Sequence, residues 1–240
     1  MNLARVEHYF SQFLSILEMP EKSRILRLYS SEYESRLYNS DKYKPIVEIG
    51  NNIRFIGTVN IDESTFHFSD KVLDRANVIK LDIIPYTEWI IGEVTTKGSL
   101  FKEWTFEEYQ KLIRIPKESI LSEREREFIW KVHELLNSCS KNLGIGPRIL
   151  KQIAKYLVNL PVSNNSENIS RNEGFDIQFV QRIMTKIRGQ KEQLSSVFDM
   201  ESEKSLIKLF DEFSDVSDFV NSRRTLDIKN QELNDYGYTL

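Results

Sequence analysis

The chain has a single cysteine, Cys139, among 240 residues. That excludes an intrachain disulfide framework and fits a reducing compartment. Long apolar runs are missing too: nothing approaches the roughly 18 residues of a membrane span. The first residues are interrupted by Arg5, Glu7 and His8 and lack the basic-then-apolar order of a signal peptide. A cytoplasmic chain with no membrane partner is expected. Charge of one sign is scarce. The net charge is −3 and the pI about 5.8, so no overall basic field advertises nucleic acid, and DNA would be contacted only locally or indirectly. The three histidines, His8, His67 and His133, are scattered, with no Cys or second His at metal spacing, so no metal site is expected. The nine glycines include no Gly-Lys pair, so the G-x-x-x-x-G-K-[ST] phosphate cradle is absent. An apolar strand ending in Asp-Glu is absent as well. Glu93 follows Ile90-Ile91-Gly92 but lies after the predicted strand that ends on Asn60, in the wrong place for it.

What is present is ordinary for a globular protein: 40% apolar and 29% charged residues, in a length that suits one large domain or two small ones. Leu3, Val6, Phe10, Phe13, Leu14 and Leu17 predict an amphipathic helix over 2–17, stopped by Pro20. Strands are predicted over 45–49, 53–59 and 77–81, with a turn at Gly50-Asn51-Asn52 and a short helix from Ser69 to Arg75. This alternation gives α/β layering up to about residue 83. Two or three strands make only half a sheet, with exposed edges. From about residue 93 onward no strand is predicted. Helices follow Thr105, the Ser122/Glu125 capping box and Pro147, then run over 175–187 and 201–220, with a polar loop over 163–174. The end beyond 221 is polar and expected to be loosely held.

Residues 54–82, RFIGTVNIDESTFHFSDKVLDRANVIKLD, carry the sharpest signal. A predicted strand stops on Asn60, and Arg75 stands just before the next. In open α/β sheets ligands bind at the carboxyl ends of strands, where an asparagine can donate to a phosphoryl oxygen and accept from water. An arginine supplied in trans neutralises charge on a transferring phosphate. By position alone an asparagine after a strand is most often a turn residue, and a lone surface arginine is more often still a solvated charge.

The stretch resembles the sensor-1 strand, following helix and next strand of AAA+ NTPases, in the branch around the McrB-type subunit of modification-dependent restriction systems. The resemblance matches Asn60 to sensor 1 and Arg75 to the arginine finger. GIGPRILKQIAKYL, from Gly144, is similar to the sensor-2 helix of the AAA+ lid, with Arg148 in its first turn; an ordinary helix start is the plainer reading. FVQRIMTKIRGQ, over 179–190, resembles a later lid helix, whose Arg182, Lys186 and Arg188 read as structural or solvated. MNLARVEHYFSQFLSILE resembles the helix directly after Walker B, which puts the catalytic glutamate just ahead of Met1.

The resemblance implies the second half of an AAA+ αβα core over 1–92, a helical lid over 93–200, and a C-terminal helix with a polar tail over 201–240. It implies ATP or GTP with Mg2+ as cofactor of an intact protein. The implied partners are a missing N-terminal AAA+ half or neighbouring AAA+ subunits, and a nuclease subunit acting on DNA. Hydrolysis by this chain alone is not expected. The rival expectations are a non-enzymatic helical interaction module and a degraded gene product.

Overall fold

The computed structural model describes residues 4–60, 68–81, 104–115, 120–141, 143–161, 168–199, 202 and 205–239. The chain divides into two compact units, Met1–Ala76 and Asn77–Leu240. Among the described residues the architecture is mainly helical, with two small antiparallel sheets. The expected boundary at 92/93 lies outside the described residues.

In the N-terminal unit the predicted first helix is two: α1 (Val6–Tyr9) and α2 (Ser11–Ile16). Phe10 leaves helical geometry between them, and its ring stacks on Phe13 at 4.9 Å and meets Phe55 edge-on at 5.6 Å. Strand β1 (Ile25–Arg27) pairs antiparallel with β2 (Ile46–Glu48), Leu26 opposite Val47. β2 falls where the sequence predicts it. β1 has three residues and no readable alternation, so the sequence reading misses it. Helix α3 (Asp70–Leu73) begins at Ser69 as expected, but Ser69 contributes its amide, which donates to the Glu7 carboxylate at 3.0 Å. Hydrogen bonding from Ser69 holds Glu7 below the usual carboxylate range. Val6, Leu14 and Val72 form the small core, with Phe10 and Phe68 against it.

Two expectations need correction here. Residues 53–59 and 77–81 form no strand, and Ile56 is 95% exposed and Leu81 86%. β-branched composition favours a strand only where a ladder partner exists, and no described strand pairs with either segment. The described part of 1–92 is thus short helices packed by a two-stranded ribbon, not a layered sheet.

The helical unit follows the sequence closely at first. Capping boxes Thr105/Glu108 and Ser122/Glu125 open α4 (Phe106–Leu112) and α5 (Glu123–Cys139). Pro147 opens α6 (Pro147–Val158). Helix α7 (Arg171–Arg182) starts earlier than predicted, because the Ser170 hydroxyl accepts from the Glu173 amide at 3.2 Å. Beyond a 3-10 turn at Met184–Lys186 come β3 (Gly189–Gln190), α8 (Lys191–Phe198) and α9 (Leu206–Glu212), the last much shorter than the predicted 201–220.

The presumed tail is a 17-residue helix, α10 (Val220–Tyr236), closed by Gly237 in the left-handed region and by β4 (Tyr238–Thr239) pairing with β3. Its inner face carries Ser222, Leu226, Lys229 and Leu233, only two of them apolar, so the pattern reads as polar. Its start is tied down by Asp176 of α7. That buried carboxylate accepts from the amides of Asn221 at 2.7 Å and Ser222 at 3.0 Å and from the Ser222 hydroxyl. At the centre of the core, the Phe128 ring meets those of Phe219, Phe179, Phe213, Phe175 and Phe210 at 4.7–6.2 Å.

Candidate functional site

The three residues singled out by the sequence fall in different settings. Asn60 and Arg75 belong to the N-terminal unit and Arg148 to the helical one. Asn60 ends a described segment, is exposed, and does not terminate a strand.

Arg75 stands two residues beyond α3, after its C-cap Asp74, and its guanidinium is engaged on every side. Nε donates to the Leu14 carbonyl at 3.1 Å and lies 3.0 Å from Glu18 Oε1. One Nη donates to the Lys71 carbonyl at 2.7 Å, the other to Glu18 Oε2 at 3.1 Å. Leu14 and Lys71 lie in the last turns of α2 and α3, where backbone carbonyls have no partner within the helix. One arginine therefore caps two short helices at their negative ends and pairs with the carboxylate beside them. Every one of these bonds stays within α2, its C-terminal extension and α3. None reaches Asn60. Within this chain the residue implied as a finger clamps two helix ends.

Arg148 is exposed at the second position of α6, after Gly146 at the cap and Pro147. No side chain caps that end, and no acidic residue stands in its first turn. A cation at the positive end of a helix gains nothing from the helix dipole, whereas an anion there is favoured by both.

The segment 143–146 that leads into α6 is held by three side chains that sequence reasoning passed over. The Ile145 amide donates to His133 Nδ1 at 3.0 Å. Asn137 Nδ2 donates to the Leu143 carbonyl at 3.4 Å, and Lys186 Nζ to the Gly144 carbonyl at 3.3 Å. Trp130 stacks on His133 with centroids 5.1 Å apart and planes 22° apart. Gly144 keeps the approach close: a Cβ there would sit 3.1 Å from His133 Cε1, so the ring would have to give by a few tenths of an ångström. No sequence spacing announces this cluster, because the partner of His133 is a backbone amide twelve residues on.

A second network ties Asn77 to α7. Its Nδ2 donates to Gln181 Oε1 at 2.8 Å, and Gln178 Nε2 donates to Asn77 Oδ1 at 3.3 Å. Arg182 donates to Gln178 at 2.7 Å and to Gln152 at 2.6 Å, and burial lowers its pKa. Those bonds hold the Arg182 guanidinium between side chains of α6 and α7. A cleft of about 390 Å³, lined by Arg27, Tyr29, Ser30, Ser31, Glu32 and Ile46, includes none of the three predicted residues. Among the described residues no helix is long and apolar enough to cross a membrane.

A model of a protein family described as a domain of unknown function (DUF8727) matches residues 94–238. The match takes in Arg148 and His133 and leaves out Asn60 and Arg75. No curated protein and no solved structure matches the chain.

Proposed function

The chain belongs to the family that this model describes, and we propose that it acts as the C-terminal part of a McrB-like AAA+ nucleoside triphosphatase in a DNA restriction or phage-defence system. What carries the reading is the order of motifs in one stretch: Gly57-Thr58-Val59-Asn60, then a short helix entered at Ser69, then Asp74-Arg75. Arg148 at the head of α6 adds a cation where an anion is welcome. In this reading Asn60 orients water or a phosphoryl oxygen, Arg75 bears on a neighbouring subunit's nucleotide, and Arg148 reports on nucleotide from the lid.

ATP or GTP with Mg2+ is the cofactor of the assembled protein. This chain has no Gly-Lys pair for the phosphate cradle, so the P-loop and its magnesium-binding hydroxyl come from another AAA+ half or subunit. A nuclease subunit is the partner that touches DNA. The chain alone turns over neither nucleotide. Turnover by the purified chain that disappears in Asn60→Ala would overturn this. The gene neighbourhood decides the wider reading. An upstream frame encoding a P-loop and an apolar strand ending in Asp-Glu supports it, and a neighbourhood without either removes the catalytic roles.

A second reading has its own observation. The core of the helical unit closes within residues 121–233, and the family match covers that unit rather than the stretch with Asn60 and Arg75. A non-enzymatic interaction module derived from an AAA+ protein needs only this part. Retention of function in a chain carrying both Asn60→Ala and Arg75→Ala would favour it.

A further inference from the structure

We propose that the loop joining β1 to β2 binds single-stranded nucleic acid, taking one base into its cleft and stacking others on its tyrosines. This goes beyond the reading above, in which DNA is reached through a nuclease subunit, and does not depend on it. The loop covers residues 28–45, far longer than the about two to five residues that hairpins commonly use. It holds four of the ten tyrosines, Tyr29, Tyr33, Tyr38 and Tyr43. Core packing does not account for them, because Tyr33 is 53% exposed, Tyr43 51% and Tyr38 100%. Lys42 lies over the Tyr43 ring at 5.4 Å, so an exposed ring here already attracts a cation.

The loop closes on itself. The Leu28 amide donates to the Pro45 carbonyl at 2.9 Å, and the Tyr29 hydroxyl to the Tyr43 carbonyl at 2.6 Å. Lys44 Nζ reaches Glu34 at 3.4 Å, which brings the 3-10 turn Ser31–Arg36 to the loop's end. Arg27 and Glu32 both line the cleft, yet among the described residues no ion pair joins them. A donor and an acceptor are thus held apart beside the Tyr29 ring and Ile46. Every nucleobase presents acceptors and N–H donors along its edge, and an aromatic face that stacks on tyrosine whatever the sequence. The arginines sharpen the choice. Arg24, Arg54 and Arg75 commit their guanidinium groups to the fold. Arg27 and Arg36 are exposed, and among the described residues their side chains make no hydrogen bond or ion pair. Two such cations suit two phosphates of one strand. A duplex hides its base faces and is held mainly through many phosphates, for which a chain of net charge −3 is poorly equipped.

The test is fluorescence anisotropy of the whole chain with short labelled oligonucleotides of mixed sequence, as single strands of DNA and of RNA and as duplex DNA, over a salt series. A single strand is expected to bind at least tenfold more tightly than the duplex. Binding of either sugar form supports the proposal, and the tighter one names the source. Tyr38→Ala is expected to weaken binding about tenfold, within the range for one stacked base. The double variant Arg27→Gln, Arg36→Gln is expected to lower the slope of log affinity against log salt by about 1.4, at roughly 0.7 for each phosphate of a single strand. No binding by the wild type would overturn the proposal, as would a duplex or an abasic strand bound as tightly as the complete strand. Polyglutamate bound as tightly would assign the loop to an acidic protein and overturn it too. Should a variant not fold, ultraviolet crosslinking of the wild type decides: adducts within residues 27–46 support the assignment, and adducts confined elsewhere end it.

Discussion

The two units of this chain use similar residues to opposite effect. In the helical unit six phenylalanine rings converge, with Phe128 fully enclosed by the other five. In the N-terminal unit Ile46, Val47, Ile53, Phe55 and Ile56 lie on the surface, and the buried cluster among the described residues is Val6, Leu14 and Val72 with Phe10 and Phe68 against it. Composition does not account for the contrast, but backbone bonding does. A helix satisfies its own N–H and C=O groups and needs only one apolar stripe covered. A strand needs a neighbour for every bond. The helical unit supplies all of its elements from residues 77–240. The N-terminal unit pairs two three-residue strands and leaves its other strand-like segments without a ladder, so their side chains remain out.

The comparison breaks most sharply at Phe128. Replacing it by alanine should cost the helical unit about 3–5 kcal/mol, the range for a fully enclosed aromatic, read as a fall in the denaturation midpoint of the helical signal. A loss under about 1 kcal/mol would mean that the rings repack and the core is looser than its geometry. The next effect runs the other way. Lys229 is buried on the inner face of α10, and burial, only partly opposed by Glu232, pushes its ammonium down to about 8 from 10.5. Between about pH 8 and 10.5 the unfolded chain holds this proton more tightly than the folded one. Stability therefore rises with pH across that window, and the full cost stands below it. At 1.36 kcal/mol for each tenfold change in proton affinity, the cost at pH 7 is roughly 3 kcal/mol. Lys229→Met should raise the midpoint at pH 7 and abolish the rise between pH 8 and 10.5. Persistence of that rise in the variant would assign it to another group.

Both effects bear on what could be read in advance. Helix α5 was legible to the residue, because Ser122 and Glu125 bond each other's backbone across three positions and that signal is local. Helix α10 was not, because its buried face includes Ser222 and Lys229, whose burial depends on Asp176 and on packing from elsewhere in the chain. The segments 53–59 and 77–81 have the residues of strands, and nothing in a single sequence tells whether a partner will come. The site divides in the same way. The motifs located Arg75 and Arg148, and the proline at the head of α6 placed Arg148 in its first turn. That the Arg75 guanidinium would spend its donors on two helix ends, and that His133 would hold Ile145, are tertiary facts with no trace in spacing.

The smallest effect on stability is the one that best separates fold from function. Arg75→Ala removes a clamp that is partly exposed, with its side chain and that of Glu18 at 20% and 30%, and should cost about 1 kcal/mol. Arg75→Lys should recover only part of that, since an ammonium cannot fork between the Leu14 and Lys71 carbonyls and a carboxylate at once. A finger role has a different scale: an arginine acting on a neighbour's phosphate is worth roughly 10³–10⁵ in rate. In a complemented assembly, turnover in Arg75→Ala should therefore collapse far beyond anything that 1 kcal/mol explains. Glu18→Gln is the control, because it weakens the clamp and leaves the guanidinium in place. If Glu18→Gln keeps turnover while losing a similar stability, the guanidinium leaves its carbonyls to act across an interface. If the two variants lose turnover equally, Arg75 serves the N-terminal unit alone, and the weakness of that small core is the reason an arginine stands there.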